Sequence, residues 1–128
     1  MSDVATVLIV EDEFAIADLL EMVLADEGYR VLTAANGRQG LQRLTEGPRP
    51  DLVISDYMMP VLDGVGMLQA MRDTEGQRDI PCIVMSSMPE ASVRERIGGY
   101  AAFVRKPFQL AVLVRLVAAV LGTSQPRL

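Results

Sequence analysis

Five side chains in this sequence could do chemistry together: the acids Glu11 and Asp12, the carboxylate of Asp56, the hydroxyl of Ser86 and the ammonium of Lys106. Each follows or closes a short apolar run, and apart from the adjacent acids each belongs to a different one. Carboxylates a few ångströms apart repel by roughly 1 kcal/mol per pair in water and about 4 kcal/mol at an effective dielectric of 20, so such a cluster is strained without a cation. Its hard oxygen donors suit Mg²⁺, which takes one or two carboxylates, keeps several waters and leaves positions for a phosphate oxygen. A carboxylate can attack phosphorus to give an aspartyl phosphate, which makes Asp56 the candidate nucleophile. Lys106 would bring a compact positive charge, and Ser86 a donor, to the remaining phosphoryl oxygens. There is no histidine, which removes His-ligated metals and the Ser-His and Cys-His nucleophile pairs.

These groups can meet only if the chain brings the ends of separate runs to one place. Leu52-Val53-Ile54-Ser55 is uncharged and rich in β-branched residues, as in a strand buried on both faces, and it delivers Asp56 before the Tyr57-Met58-Met59-Pro60 turn. Val4–Val10, Tyr29–Ala34, Pro81–Ser87 and Ala101–Arg105 read as four more strands. Between them lie helical patterns. Ile16, Leu19, Leu20, Val23 and Leu24 fall at i, i+3, i+4, i+7 and i+8, with Gly28 as a stop. Asn36 and Asp63 are N-caps for helices that bury Leu41 and Leu44, and Met67, Leu68 and Met71. Glu90–Ile97 is a short helix closed by Gly98-Gly99, and Leu110, Leu113, Val114, Val117, Ala118 and Leu121 form the inward stripe of the last. Such alternation predicts a parallel sheet covered on both faces, whose C-terminal strand ends share one edge.

The 128 residues make one domain, 50% apolar and 23% charged. A net charge of −5 and an isoelectric point near 4.6 work against binding a phosphate backbone, so no nucleic acid is expected as a partner. No apolar run is long enough to span a bilayer and no signal pattern opens the chain, so no membrane partner and a cytoplasmic location are expected. The single cysteine, Cys82, lies in an apolar run as a buried small hydrophobe.

Val10-Glu11-Asp12, Ser55-Asp56 with Met59-Pro60 and Asp63-Gly64, Met85-Ser86, and Lys106-Pro107-Phe108 together resemble the receiver domain of two-component response regulators, of the single-domain, CheY-like kind. The resemblance runs from about Val7 to Leu121. It implies a flavodoxin-like (βα)5 doubly wound sheet of strand order 2-1-3-4-5, with a receiver domain over residues 1–122, a polar tail over 123–128 and no effector domain. It implies phosphotransfer to Asp56 from a histidine kinase or a histidine phosphotransfer protein. It also implies Mg²⁺ held by Asp12, Asp56 and the Met58 backbone carbonyl, with Glu11 acting through water. Ser86 would be the switch hydroxyl, Phe103 the switch aromatic and Lys106 the phosphate-binding lysine, with a cis Lys106–Pro107 bond. Such a protein phosphorylates and dephosphorylates itself and is otherwise no enzyme. Absence of an effector fits a final output, a phosphate sink or a relay intermediate equally.

Ser86 and Phe103 stand where Thr and Tyr are frequent in that family. The Ser86-to-Lys106 segment spans 20 positions, somewhat short for it, which leaves the length and angle of the fourth helix open. Met58 and Met88, two residues beyond Asp56 and Ser86, flank the path of a hydrolytic water and predict slow hydrolysis of the phosphoryl group. Ser86 drawn toward the phosphoryl oxygens would let Phe103 turn inward, changing the face of the fourth helix, fifth strand and last helix that meets a downstream target. A second apolar stripe on the last helix, Val112, Leu116, Ala119 and Val120, predicts a homodimer or partner contact. Among alternatives, an FMN binder is disfavoured by Glu11-Asp12-Glu13-Phe14, which would repel a phosphate. A haloacid-dehalogenase-type phosphatase is disfavoured by Met58, which stands where its second acid belongs. The remaining alternative is a receiver-like interaction module that works without phosphorylation.

Overall fold

Strands that are apolar at every position need cover on both faces, and amphipathic helices supply it. The computed structural model describes residues 4–59 and 61–122, and the expected polar tail lies outside them. The elements are β1 (Thr6–Val10), α1 (Phe14–Asp26), β2 (Arg30–Ala34), α2 (Gly37–Glu46), β3 (Leu52–Asp56), α3 (Gly64–Arg72), β4 (Cys82–Ser86), α4 (Glu90–Arg94), β5 (Ala102–Arg105) and α5 (Leu110–Val120). All strand pairs are parallel, in the order β2-β1-β3-β4-β5, the flavodoxin-like topology expected. The three inner strands are buried at every residue.

Period-2 alternation divides the core. Leu8, Val10, Val53 and Val84 face Leu44, Met67, Leu68, Met71 and Val93 on one side. Val7, Ile9, Ile54, Ile83 and Met85 face Leu20, Leu24, Leu113 and Val117 on the other. Each such side chain, fully buried, contributes about 1.5–3 kcal/mol. Both N-caps are made: Asn36 Oδ1 accepts from the Gln39 amide at 2.9 Å, and Asp63 Oδ1 from the Gly66 amide at 2.9 Å.

Two helical expectations are corrected, and the second stripe of the last helix is described more closely. In α1 the buried positions are Ala17, Leu20 and Leu24, while Leu19 is 44% exposed, at the margin of an apolar groove shared with Phe108 and Leu110. The inward stripe is centred one position further round than the leucine pair suggested. Helix α4 stops at Arg94 instead of reaching Ile97. Val93 and Ile97 are both buried, but past Arg94 the chain tightens into a turn, with the Arg96 amide donating to the Val93 carbonyl at 3.0 Å ahead of Gly98-Gly99. In α5, Val112, Leu116 and Val120 are partly buried against the protein's own second core cluster, and of the second stripe Ala119 alone is exposed.

Candidate functional site

The register sets the site. Val10 pairs with Ser55, Asp56 with Met85, and Ser86 with Arg105, so the residues that follow emerge side by side at one edge. The ladder continues past the strands: the Glu11 amide donates to the Ala34 carbonyl at 3.0 Å, Tyr57 to Met85 at 2.8 Å and Lys106 to Ser86 at 2.8 Å. Asp56 is also fixed from α3. The Gly64 amide donates to the Tyr57 carbonyl at 3.0 Å, and a Cβ at Gly64 would collide with the Asp56 carbonyl oxygen. This approach is why the Asp63 cap is followed by glycine.

Glu11, Asp12, Asp56, Ser86 and Lys106 are all brought to this edge. One carboxylate oxygen from each of Glu11, Asp12 and Asp56 lies within 4.8 Å of the others. Glu11 and Asp56 are buried and Asp12 is exposed, so the triad opens to solvent on the Asp12 side. Lys106 Nζ stands 2.9 Å from Glu11 Oε1 and 3.1 Å from Asp56 Oδ2, and the other Glu11 oxygen accepts from the Glu13 amide at 3.0 Å. The Ser86 hydroxyl oxygen accepts from the Met88 amide at 3.0 Å, which leaves its own proton available to donate. The Lys106–Pro107 bond is cis.

Burial, and after it the Glu11 charge, push the Asp56 carboxyl up to about 7 against the opposing pull of Lys106. Burial lowers the Lys106 ammonium, but its hydrogen bond to Glu11 and the charges of Asp56 and Glu11 outweigh this and raise it. Two carboxylates sharing one ammonium are short of positive charge. The three oxygen donors therefore fit a hard divalent cation such as Mg²⁺.

Of the other candidates, Met58 and Met88 are 61% and 36% exposed, beside Asp56 and Ser86 in sequence. Phe103 is half-buried against Tyr100, with ring centroids 6.2 Å apart. Cys82 is buried as expected, and that burial pushes its thiol up to about 12.

Sequence reasoning missed two tyrosines. Tyr57, 2% exposed, accepts from Arg96 at its phenol oxygen over 3.3 Å, with that guanidinium 5.7 Å from its ring centre. Tyr100 donates to Glu90 Oε2 at 2.8 Å, and Arg94 lies 5.3 Å over its ring. The available signal was Tyr57 itself, since a phenol inside an apolar run needs a polar partner somewhere. The direct pairing of Glu11 with Lys106 was missed as well.

The family described as the response regulator receiver domain matches residues 7–118. The transcriptional regulatory protein PrrA of Mycobacterium tuberculosis is 40% identical over 90% of this chain and 49% of its own length. The chain spans about half the length of the curated relatives it matches first. Among solved structures, the chemotaxis protein CheY4 of Vibrio cholerae is 31% identical with a TM-score of 0.82, covering 91% of this chain and 98% of that one. The receiver domain of a sensor histidine kinase of Pseudomonas aeruginosa, solved with a magnesium ion coordinated in its active-site cleft, is 30% identical with a TM-score of 0.85, covering 94% and 99%. The chain therefore belongs to the response regulator receiver domains of two-component signalling, whose members are not conventional enzymes.

Proposed function

We propose that Asp56 accepts a phosphoryl group from a histidine kinase or a histidine phosphotransfer protein, and that the change is read on the α4–β5–α5 face by a downstream protein. The observation that carries this reading is the placement of Lys106 between Glu11 and Asp56, at 2.9 and 3.1 Å. An Asp56 oxygen attacks phosphorus, the bond from phosphorus to the donor's imidazole nitrogen breaks, and the imidazole leaves with that electron pair. Mg²⁺ held by Asp12, Asp56 and the Met58 carbonyl, with Glu11 through water, would neutralise charge on the phosphoryl oxygens. Lys106 turns from carboxylate pairing to a phosphoryl oxygen, and Ser86 donates its proton to another.

The switch follows from the Met88–Ser86 bond. Ser86 drawn toward the phosphoryl group pulls on the start of α4, and Phe103 moves into the space that opens. The partly buried second stripe of α5 leaves this face less apolar than a dimer contact through Val112, Leu116, Ala119 and Val120 would use, so a separate partner is the simpler occupant. We read residues 1–122 as one receiver unit acting in the cytoplasm. No helix among the described residues is long and apolar enough to cross a membrane.

Intact mass after incubation with acetyl phosphate, with and without Mg²⁺, tests the site. One added phosphoryl group that needs Mg²⁺ and is lost in Asp56→Asn is expected. A phosphoryl group retained by that variant would overturn the assignment.

A further inference from the structure

The loop that follows β4 is held near Ser86 in part by an exposed side chain from the neighbouring strand. Ser86 pairs with Arg105 across the sheet, and the Lys106 amide donates to the Ser86 carbonyl at 2.8 Å. The next residue after Lys106 is Pro107, which has no N–H to extend the ladder. The next carbonyl of the loop, that of Ser87, accepts instead from Arg105 Nε at 3.2 Å. Bonded to that carbonyl is the Met88 amide, which donates to the Ser86 hydroxyl oxygen at 3.0 Å. One peptide unit, Ser87–Met88, therefore stands between the Arg105 guanidinium and the Ser86 hydroxyl. It is planar and trans, so its carbonyl and its N–H point in opposite directions, one to Arg105 and the other to Ser86 Oγ. Fixing the carbonyl fixes the N–H. A cationic donor at the carbonyl oxygen also polarises the peptide, which strengthens the N–H as a donor and the Ser86 O–H in turn. Arg105 forms no ion pair among the described residues, so no carboxylate offsets its charge at this carbonyl.

We propose that Arg105 is a positioning residue for phosphotransfer to Asp56, aiming and polarising the Ser86 hydroxyl through the Ser87–Met88 peptide. The inference deepens the phosphoacceptor reading and rests on it for the reaction, while the hold of Arg105 on the peptide is independent of it. Arg105 itself stays out of the reaction: the group that meets the phosphoryl oxygen is Ser86. Because the Arg105 side chain is exposed, its bond to Ser87 competes with water, and its removal should change a rate severalfold without unfolding the chain.

The test measures acetyl phosphate labelling by intact mass, at saturating Mg²⁺, for the wild type, Arg105→Met, Arg105→Lys, Ser86→Ala and the Arg105→Met, Ser86→Ala double variant. Arg105→Met should slow labelling about threefold to tenfold, and Arg105→Lys, which keeps a cationic donor, should recover most of the rate. In the Ser86→Ala background Arg105→Met should cost nothing further, because a residue that acts through Ser86 has no effect once that hydroxyl is gone. A second readout needs no phosphorylation. Exchange of the Met88 amide hydrogen, followed by NMR, should quicken at least about threefold in Arg105→Met. A wild-type labelling rate in Arg105→Met, an equal loss with and without the Ser86 hydroxyl, or unchanged Met88 exchange would overturn the proposal. A wild type that takes no phosphoryl group, with Met88 exchange quickened in Arg105→Met, would instead overturn the phosphoacceptor reading and leave the hold of Arg105 on Ser86 in place.

Discussion

The Glu11 carboxylate, 2% exposed, grips the Lys106 ammonium directly at 2.9 Å. Lys106 is thereby held over Asp56 before any phosphoryl group arrives, with 18% of its side chain exposed. A buried ion pair matters most when broken, since loss of one partner strands the other at a cost of about 3–5 kcal/mol. Asp56 remains as a second partner here, so Glu11→Gln should cost less than that. Its main effect should be on reactivity. We expect Glu11→Gln to slow acetyl phosphate labelling of Asp56 at least about tenfold, on the scale of losing one electrostatic donor at a reacting oxygen. A time course of intact mass at saturating Mg²⁺ checks this, and a wild-type rate would remove Glu11 as the residue that positions the lysine.

The raised Asp56 carboxyl predicts a pH-dependent stability difference. Ordinary aspartates ionise near pH 4, whereas this one is pushed up to about 7 by burial first and Glu11 second. The fold favours the protonated form, so the Asp56 contribution to stability is fully present below about pH 4 and is lost as pH rises to about 7. Lys106 shifts upward, so its contribution is constant across this window and declines only in strong alkali. In EDTA, Asp56→Asn should therefore gain on the wild type as pH rises from 5 to 8, by up to a few kcal/mol. Mg²⁺ should narrow the gap by stabilising the ionised carboxylate. Urea midpoints of both proteins at the two pH values decide it; a gap independent of pH would contradict the electrostatics described.

Much of this site could be read before any coordinates, for a definite reason. Asp56, Ser86 and Lys106 each end or follow an apolar run, and in a parallel sheet run ends converge whatever the loop details. Reach across the site could not be read the same way. That Lys106 meets Glu11 directly depends on side-chain extension between residues 95 positions apart. The phenol of Tyr57 finds Arg96 from 39 positions away, through a turn whose path follows from the early end of α4. Leu19 was misplaced because Ile16, Leu19, Leu20 and Val23 are all apolar, and such a broad stripe does not mark its own centre. The Gly98-Gly99 pair marked where the fourth helical segment must stop, but not where the helix gives out.

Val61 is the described non-glycine residue with positive φ, at 71°, and its side chain is 69% exposed. A β-branched residue in that region crowds its own backbone, at a cost of roughly 1–2 kcal/mol. The exposed side chain recovers little of it by burial. Val61→Gly should accordingly stabilise the protein by about 1 kcal/mol, less whatever backbone entropy glycine adds to the unfolded chain. A urea midpoint shifted upward with unchanged slope is the expected reading. A downward shift would mean that the valine side chain makes a contact worth more than the strain.

Hydrolysis of the aspartyl phosphate requires a water placed in line with the bond from phosphorus to Asp56, and the side chains beside that approach decide how well it is held. Met58 and Met88, exposed and two residues beyond Asp56 and Ser86 in sequence, have no strong hydrogen-bonding group to orient a water. The phosphorylated protein should therefore keep its label far beyond seconds once acetyl phosphate is removed. Met88→Asn, which adds a donor and an acceptor at a surface position without touching the acids or Lys106, should shorten the lifetime several-fold while leaving the labelling rate in place. Timed intact-mass measurements after desalting separate the two rates. A wild-type label lost within seconds would show that the water is positioned by another group, with the Asp12 side of the site, the one open to solvent, as the first place to look.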